Sequence, residues 1–98
     1  DLKGAAFIGD TDAEVLMTHV MSRYKSEFMH ISYVYLSDHE LAEIAVSNVF
    51  LTMARRLNRY PGQAEEKVWA LRYLMTELRR LNIMKSMGLR PFIRKRRR

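Results

Sequence analysis

SDHELAEIAVSNVFLTMARRLNRYPGQAEEKVWALRYLMTELRRL, residues 37–81, decides how this chain folds. Ser37-Asp38-His39-Glu40 has the form of a capping box, so a helix is expected to begin there. Its apolar positions are Leu41, Ala42, Ile44, Ala45, Val46, Val49, Phe50, Met53 and Leu57, which cover well over half the helix circumference. A helix that apolar packs on more than one side or exposes a docking surface. The pattern breaks at Asn58-Arg59-Tyr60-Pro61-Gly62, where proline and glycine stop a helix together. A second helix is predicted from near Gln63, with Glu65 and Glu66 set against the positive end of its dipole. Val68, Leu71, Leu74 or Met75, Leu78 and Leu81 form its predicted buried stripe. On another side Trp69, Arg72, Tyr73, Thr76 and Arg80 line up at three- and four-residue spacing. A short final helix is expected over residues 82–87, stopped by Gly88 and Pro91.

The segment before this pair reads as its packing partner. Thr11-Asp12-Ala13-Glu14 is another capping box. Beyond it Leu16, Val20, Tyr24, Phe28, Ile31 and Tyr35 recur at mostly four-residue steps, with Met17 and Met21 widening the stripe and Arg23, Lys25, Ser26 and Glu27 near the polar side. Residues 31–36 are rich in β-branched and aromatic side chains, but their continuity with the stripe favours helix over strand. Residues 1–10, with Gly4 and Gly9, read as an irregular leader in which residues 5–8 form a short apolar patch. There is no internal repeat, strand alternation or hairpin turn. The expected fold is therefore all-α, a compact three- to four-helix bundle over residues 11–89 with a basic tail at 90–98.

Composition narrows the function classes. The 98 residues fit one domain, and 48% are hydrophobic, enough for a folded core. The chain has no cysteine, so neither a disulfide framework nor a thiolate metal site is available, and a cytoplasmic location is expected. No apolar run approaches the roughly 18 residues that span a bilayer, so no membrane partner is expected. The net charge of +6 sits in the tail: Arg90, Arg94, Lys95, Arg96, Arg97 and Arg98 are six cations without an acid, while residues 1–89 are balanced. Such a run either contacts nucleic acid or another polyanion, or is a solvated linker.

Nothing in the chain proposes catalysis. His19, His30 and His39 lack paired metal-ligand spacing, no glycine-rich phosphate loop occurs, and no serine or acid sits in a nucleophile motif. No enzyme, cofactor or metal is expected. The Trp69, Arg72, Tyr73, Thr76, Arg80 face is more informative. Bases stack on aromatic rings while guanidinium groups meet phosphates, which suits single-stranded nucleic acid. The same spacing also fits core aromatics with arginines snorkelling beside them.

The order of these features resembles region 2 of bacterial RNA polymerase sigma factors, in the extracytoplasmic-function group. The likeness runs through Ala42-Glu43, Val49-Phe50-Leu51, Arg55-Arg56-Leu57-Asn58-Arg59-Tyr60, Trp69, Arg72 and Leu78-Arg79-Arg80, with Arg23-Tyr24 matching a pair on the family's opening helix. It covers about residues 12–81, and the basic tail lies where the family has a linker to a second DNA-binding domain. The resemblance implies a compact helical bundle that docks on the clamp helices of the polymerase largest subunit through Glu43, Ser47, Asn48, Phe50 and Leu51. It implies capture of the non-template strand of the promoter −10 element by Tyr60, Trp69 and Arg72, on a face shared with Tyr73, Thr76 and Arg80. Stacking and pocketing of unpaired bases would offset unstacking, which costs a few kcal/mol.

The departures fall at functional positions. Where the family carries polar docking residues, this chain has Ile44, Ser47 and Asn48, which makes the helix more apolar. On the strand-facing helix it has Thr76 for an asparagine and Arg80 for an aspartate, and the loop at residues 61–66 ends in two acids. These changes motivate an alternative of another class: a sigma-like module that binds a protein regulator, such as an anti-sigma protein, or a second copy, without DNA binding. A third reading is a basic nucleic-acid binder that relies on its tail.

Overall fold

The computed structural model describes residues 10–91, with side chains from residue 12. The leader patch at residues 5–8 and the tail from residue 92 lie outside the described residues. Three helices make the fold: α1 (Asp10–Leu36), α2 (His39–Arg55) and α3 (Glu66–Ser86). Among the described residues there is no strand, so the all-α expectation holds. Helix α2 packs against both neighbours, which explains its apolar circumference, and α1 touches α3 more lightly.

The helix boundaries differ from the sequence expectations in instructive ways. Helix α1 is already under way at Asp10, so Thr11 lies inside it and is not its cap. Ser37 does not cap α2 either. It adopts a left-handed conformation (φ 53) and ends α1, its amide donating to the Tyr33 carbonyl at 2.7 Å. The cap is Asp38, whose Oδ1 accepts from the Leu41 amide at 2.9 Å. One residue of connection is thus spent on stopping the first helix before the second can start.

Helix α2 ends at Arg55, before the proline, because its last turn tightens into a 3-10 turn over Leu57–Arg59. A second 3-10 turn, Gln63–Glu65, leads into α3. The expected separate helix at residues 82–87 is absent, since α3 runs on to Ser86. Gly88 (φ 77) then supplies the left-handed residue. Its amide reaches the Lys85 carbonyl at 3.0 Å, and the Leu89 amide reaches Met84 at 2.8 Å. That pairing is the Schellman closure, and it satisfies carbonyls that a helix end leaves open. Lys85 also reaches across to donate to the Leu36 carbonyl at the end of α1.

The core follows strict four-residue steps on α1: Val20, Tyr24, Phe28, Ser32 and Leu36 are all buried. Four residues turn the helix slightly past one revolution, so this stripe winds around α1 as it crosses its partners. Tyr35, expected in the stripe, is exposed instead, and Ile31 is half-buried. On α3 the buried positions are Ala70, Leu74, Leu78 and Leu81; Val68 is exposed and Leu71 only half-buried. Phe28 stands between Tyr24 (5.4 Å between ring centroids) and Phe50 (6.1 Å), joining α1 to α2.

Ser32 is fully buried, and its hydroxyl has no hydrogen-bond partner. An unsatisfied buried hydroxyl carries a desolvation cost of about 1–3 kcal/mol, and alanine is the better helix former. Ser32→Ala should therefore raise stability by about 1 kcal/mol in urea denaturation. A loss of stability would show that the hydroxyl has a partner in solution.

Candidate nucleic-acid interface and docking groove

The loop between α2 and α3 builds the first part of the site. Tyr60 follows the 3-10 turn with extended backbone, and its amide bonds only the Leu57 carbonyl at 3.0 Å. Gly62 takes a positive φ of 104, which lets the chain reverse into α3. The Tyr60 ring then meets Trp69 edge to face at 5.6 Å, and Trp69 meets Tyr73 in the same manner at 5.5 Å. Three rings thus form a row along one flank of α3. All three are half-buried: Trp69 and Tyr73 lean on the core and keep part of their surface outward. The core and surface readings of these rings each describe one side of them.

Beneath this row lies a residue whose placement sequence reasoning missed. Glu66, expected only as an acid where the loop ends and the helix dipole begins, is buried with 1% of its surface accessible. One carboxylate oxygen accepts from the Tyr60 hydroxyl at 2.6 Å, and the other pairs with Arg23 of α1. Burial pushes the Glu66 carboxyl upward, but hydrogen bonds from Tyr60, Tyr24 and Arg23 outweigh it and the net shift is downward. The Tyr60 hydroxyl is pushed up to about 12, by burial first and then by its bond to the Glu66 carboxylate. No local pattern marks Glu66. Its partners lie 43 residues before it and six residues before it in the chain.

The remaining residues of the candidate strand-facing surface separate. Arg72 and Thr76 are exposed and line a shallow cleft of about 410 Å³ with Val68, Leu71, Met75 and Arg79. Arg80 is engaged by Glu77, with contacts at 3.1 and 2.6 Å, and its pKa is raised chiefly by that bond. Glu77 in turn accepts from Asn48 at 2.7 Å. Burial raises the Glu77 carboxyl, while Arg80 and Asn48 bring the net shift below the ordinary range.

The expected docking residues also divide. Glu43, Ser47, Phe50 and Leu51 line an open groove of about 640 Å³ between α1 and α2. Its other wall holds Met17, Met21, Lys25 and Met29 from α1. Phe50 forms the floor, being buried, while Leu51 is 48% exposed at the rim. Asn48 faces α3, away from this groove, through its bond to Glu77. Of this wall the sequence showed only Met17 and Met21, as a widening of the stripe, and did not single out Met29. Flexible thioether side chains suit a surface that must adapt to a partner.

The first residue of the basic tail is tied down. Arg90 contacts Asp38 at 3.2 Å and Glu40 at 3.1 Å, at the start of α2. The Asp38 carboxyl is held below its ordinary value by the Leu41 amide and then by Arg90. Among the described residues no cluster of His, Asp or Glu could hold a metal ion. No helix there is long and apolar enough to cross a membrane. No protein-family model matches the chain, and comparison with curated proteins and with solved structures gives no significant match either.

Proposed function

We propose that this chain is a sigma-factor-like transcription initiation domain of the cytoplasm. In this reading it docks on RNA polymerase through the α1–α2 groove and captures the unpaired promoter strand with the Tyr60–Trp69–Tyr73 row. The observation that carries the reading is that row, with exposed Arg72 three residues after Trp69 on the same helix. The ring surface that these half-buried side chains leave outward can receive bases, and the Arg72 guanidinium can meet the phosphates. The groove supports the docking half, since it gathers Glu43, Ser47, Phe50 and Leu51, four residues of the family-like docking helix. The inward turn of Glu66 also removes one acid from the loop that a strand would approach.

Trp69→Ala is expected to weaken binding of single-stranded promoter DNA by about tenfold, the value of one stacked base. Pull-down by core polymerase should be unchanged in that variant. No association with polymerase and no effect of Trp69→Ala would sink the proposal.

A second reading is favoured by two observations. Arg80 is paired with Glu77, and three methionines, Met17, Met21 and Met29, line the α1 side of the groove beside Lys25. Both suit a sigma-like module that binds an anti-sigma-type regulator, or a second copy, without DNA. A stable protein complex through the groove, with no affinity for single strands, would favour it.

A further inference from the structure

We propose that Arg23 and Glu66 act as a latch that positions Tyr60, and through it the exposed side of Trp69, for stacking on unpaired bases. This assignment rests on the strand-capture reading and gives the buried Glu66 carboxylate and its Arg23 partner a role in it. Tyr60 is the one member of the aromatic row that no helix holds. Its backbone makes a single hydrogen bond to the preceding turn, and the following residues are Pro61 and Gly62. What fixes its ring is the 2.6 Å hydrogen bond from its hydroxyl to Glu66.

Glu66 is suited to that task. It is the first residue of α3, it is buried, and each of its carboxylate oxygens serves a different element. Arg23 on α1 holds one oxygen, so the orientation of the carboxylate, and hence of Tyr60, is referred to the rigid bundle. Arg23 also lies over the Tyr24 ring at 5.9 Å, which restrains the guanidinium in turn. Trp69 stands three residues after Glu66 on the same helix and receives the Tyr60 ring at 5.6 Å. A charge-assisted bond in a half-buried site therefore sets the geometry of a stacking surface. Preorganisation of this kind raises affinity because the ring need not be ordered when a base arrives.

Tyr60→Phe keeps the ring and removes only the hydroxyl, so it separates positioning from stacking area. Glu66→Gln keeps the shape and removes the charge. Binding of a fluorescein-labelled oligothymidylate is followed by anisotropy, beside the emission of Trp69, the single tryptophan of the chain. Tyr60→Phe and Glu66→Gln are each expected to weaken binding about fivefold and to shift Trp69 emission, with helix content by circular dichroism unchanged. If Tyr60→Phe binds as the wild type does while Trp69→Ala loses binding, the latch is overturned and strand capture stands. If the wild-type chain binds no oligothymidylate, strand capture falls and the latch with it. If helix content falls in Tyr60→Phe and Glu66→Gln and binding weakens only in proportion to the unfolded fraction, the network is structural alone and the proposal fails.

Discussion

Phe28→Ala is expected to lower the unfolding free energy by about 3–5 kcal/mol, measured by urea denaturation. Phe28 is fully buried, and its ring joins Tyr24 on α1 to Phe50 on α2 through two stacked contacts. Truncation removes the transfer energy of the ring and leaves a cavity between helices that cannot close without moving α1. Domains of this size have total stabilities of about 5–15 kcal/mol, toward the low end when small. The loss would therefore leave much of the population unfolded at physiological temperature. A cost below about 1 kcal/mol would show that α1 repacks freely against α2.

Glu66→Ala is the second large effect, expected to cost about 3 kcal/mol at neutral pH. The variant strands the Tyr60 hydroxyl and removes a charge-assisted bond worth about 1.5–3 kcal/mol, with a small cavity added. The Arg23 side of the network contributes less, because that side chain is 40% exposed and solvent screens it. The dependence on pH has a definite sign. The Glu66 carboxyl is depressed in the folded state, so its contribution is present above the ordinary value of 4.5 and is lost as pH falls through the lower folded value. The gap between wild type and Glu66→Ala should accordingly narrow in acid. Asp38 and Glu77 are depressed as well, so both proteins lose stability there. Tyr60 works in the opposite sense. Its raised value means its contribution is whole below 10 and is lost as pH rises toward about 12. A wild-type-to-variant difference that stays constant from neutral pH to pH 3 would refute the assignment of the Glu66 carboxylate.

The helices were legible in the sequence because their signals are local. Apolar residues at three- and four-residue spacing announced α1, α2 and α3. The excess of apolar positions on α2 left open a helix packed on two sides or one exposing a docking surface, of which the structure shows packing against both neighbours. The boundaries were less legible. Ser37 and Asp38 both suit a cap, and only the need to end α1 with a left-handed residue assigns the first to stopping and the second to starting. Likewise Ser32 and Leu36 replace Ile31 and Tyr35 in the buried stripe, because the crossing of α1 over its partners fixes which side faces inward. A hydroxyl inside the core is not something periodicity would select.

The candidate site was legible in part. The aromatic positions Tyr60, Trp69 and Tyr73 were marked by spacing and by the family resemblance, and they meet in space. The polar residues were not resolved. Arg72 and Arg80 lie on the same helix with similar spacing and both are exposed, yet Arg80 is paired with Glu77 while Arg72 lines the cleft beside Val68 and Met75. Asn48 and Ser47 are adjacent in sequence, but their side chains leave α2 about 100° apart, one toward α3 and one toward the groove.

By itself the sequence determined an all-helical chain, the apolar faces of its helices and the break that separates α2 from α3, since each of these depends on residues within one or two helical turns. Only the tertiary structure decided that Glu66 is buried, that Arg23 and Tyr60 meet on it, and that methionines of α1 wall a groove with Glu43, Ser47 and Leu51 of α2. Those groupings join residues far apart in the chain, and a side chain's partner is set by how helices cross, not by the spacing within any one of them.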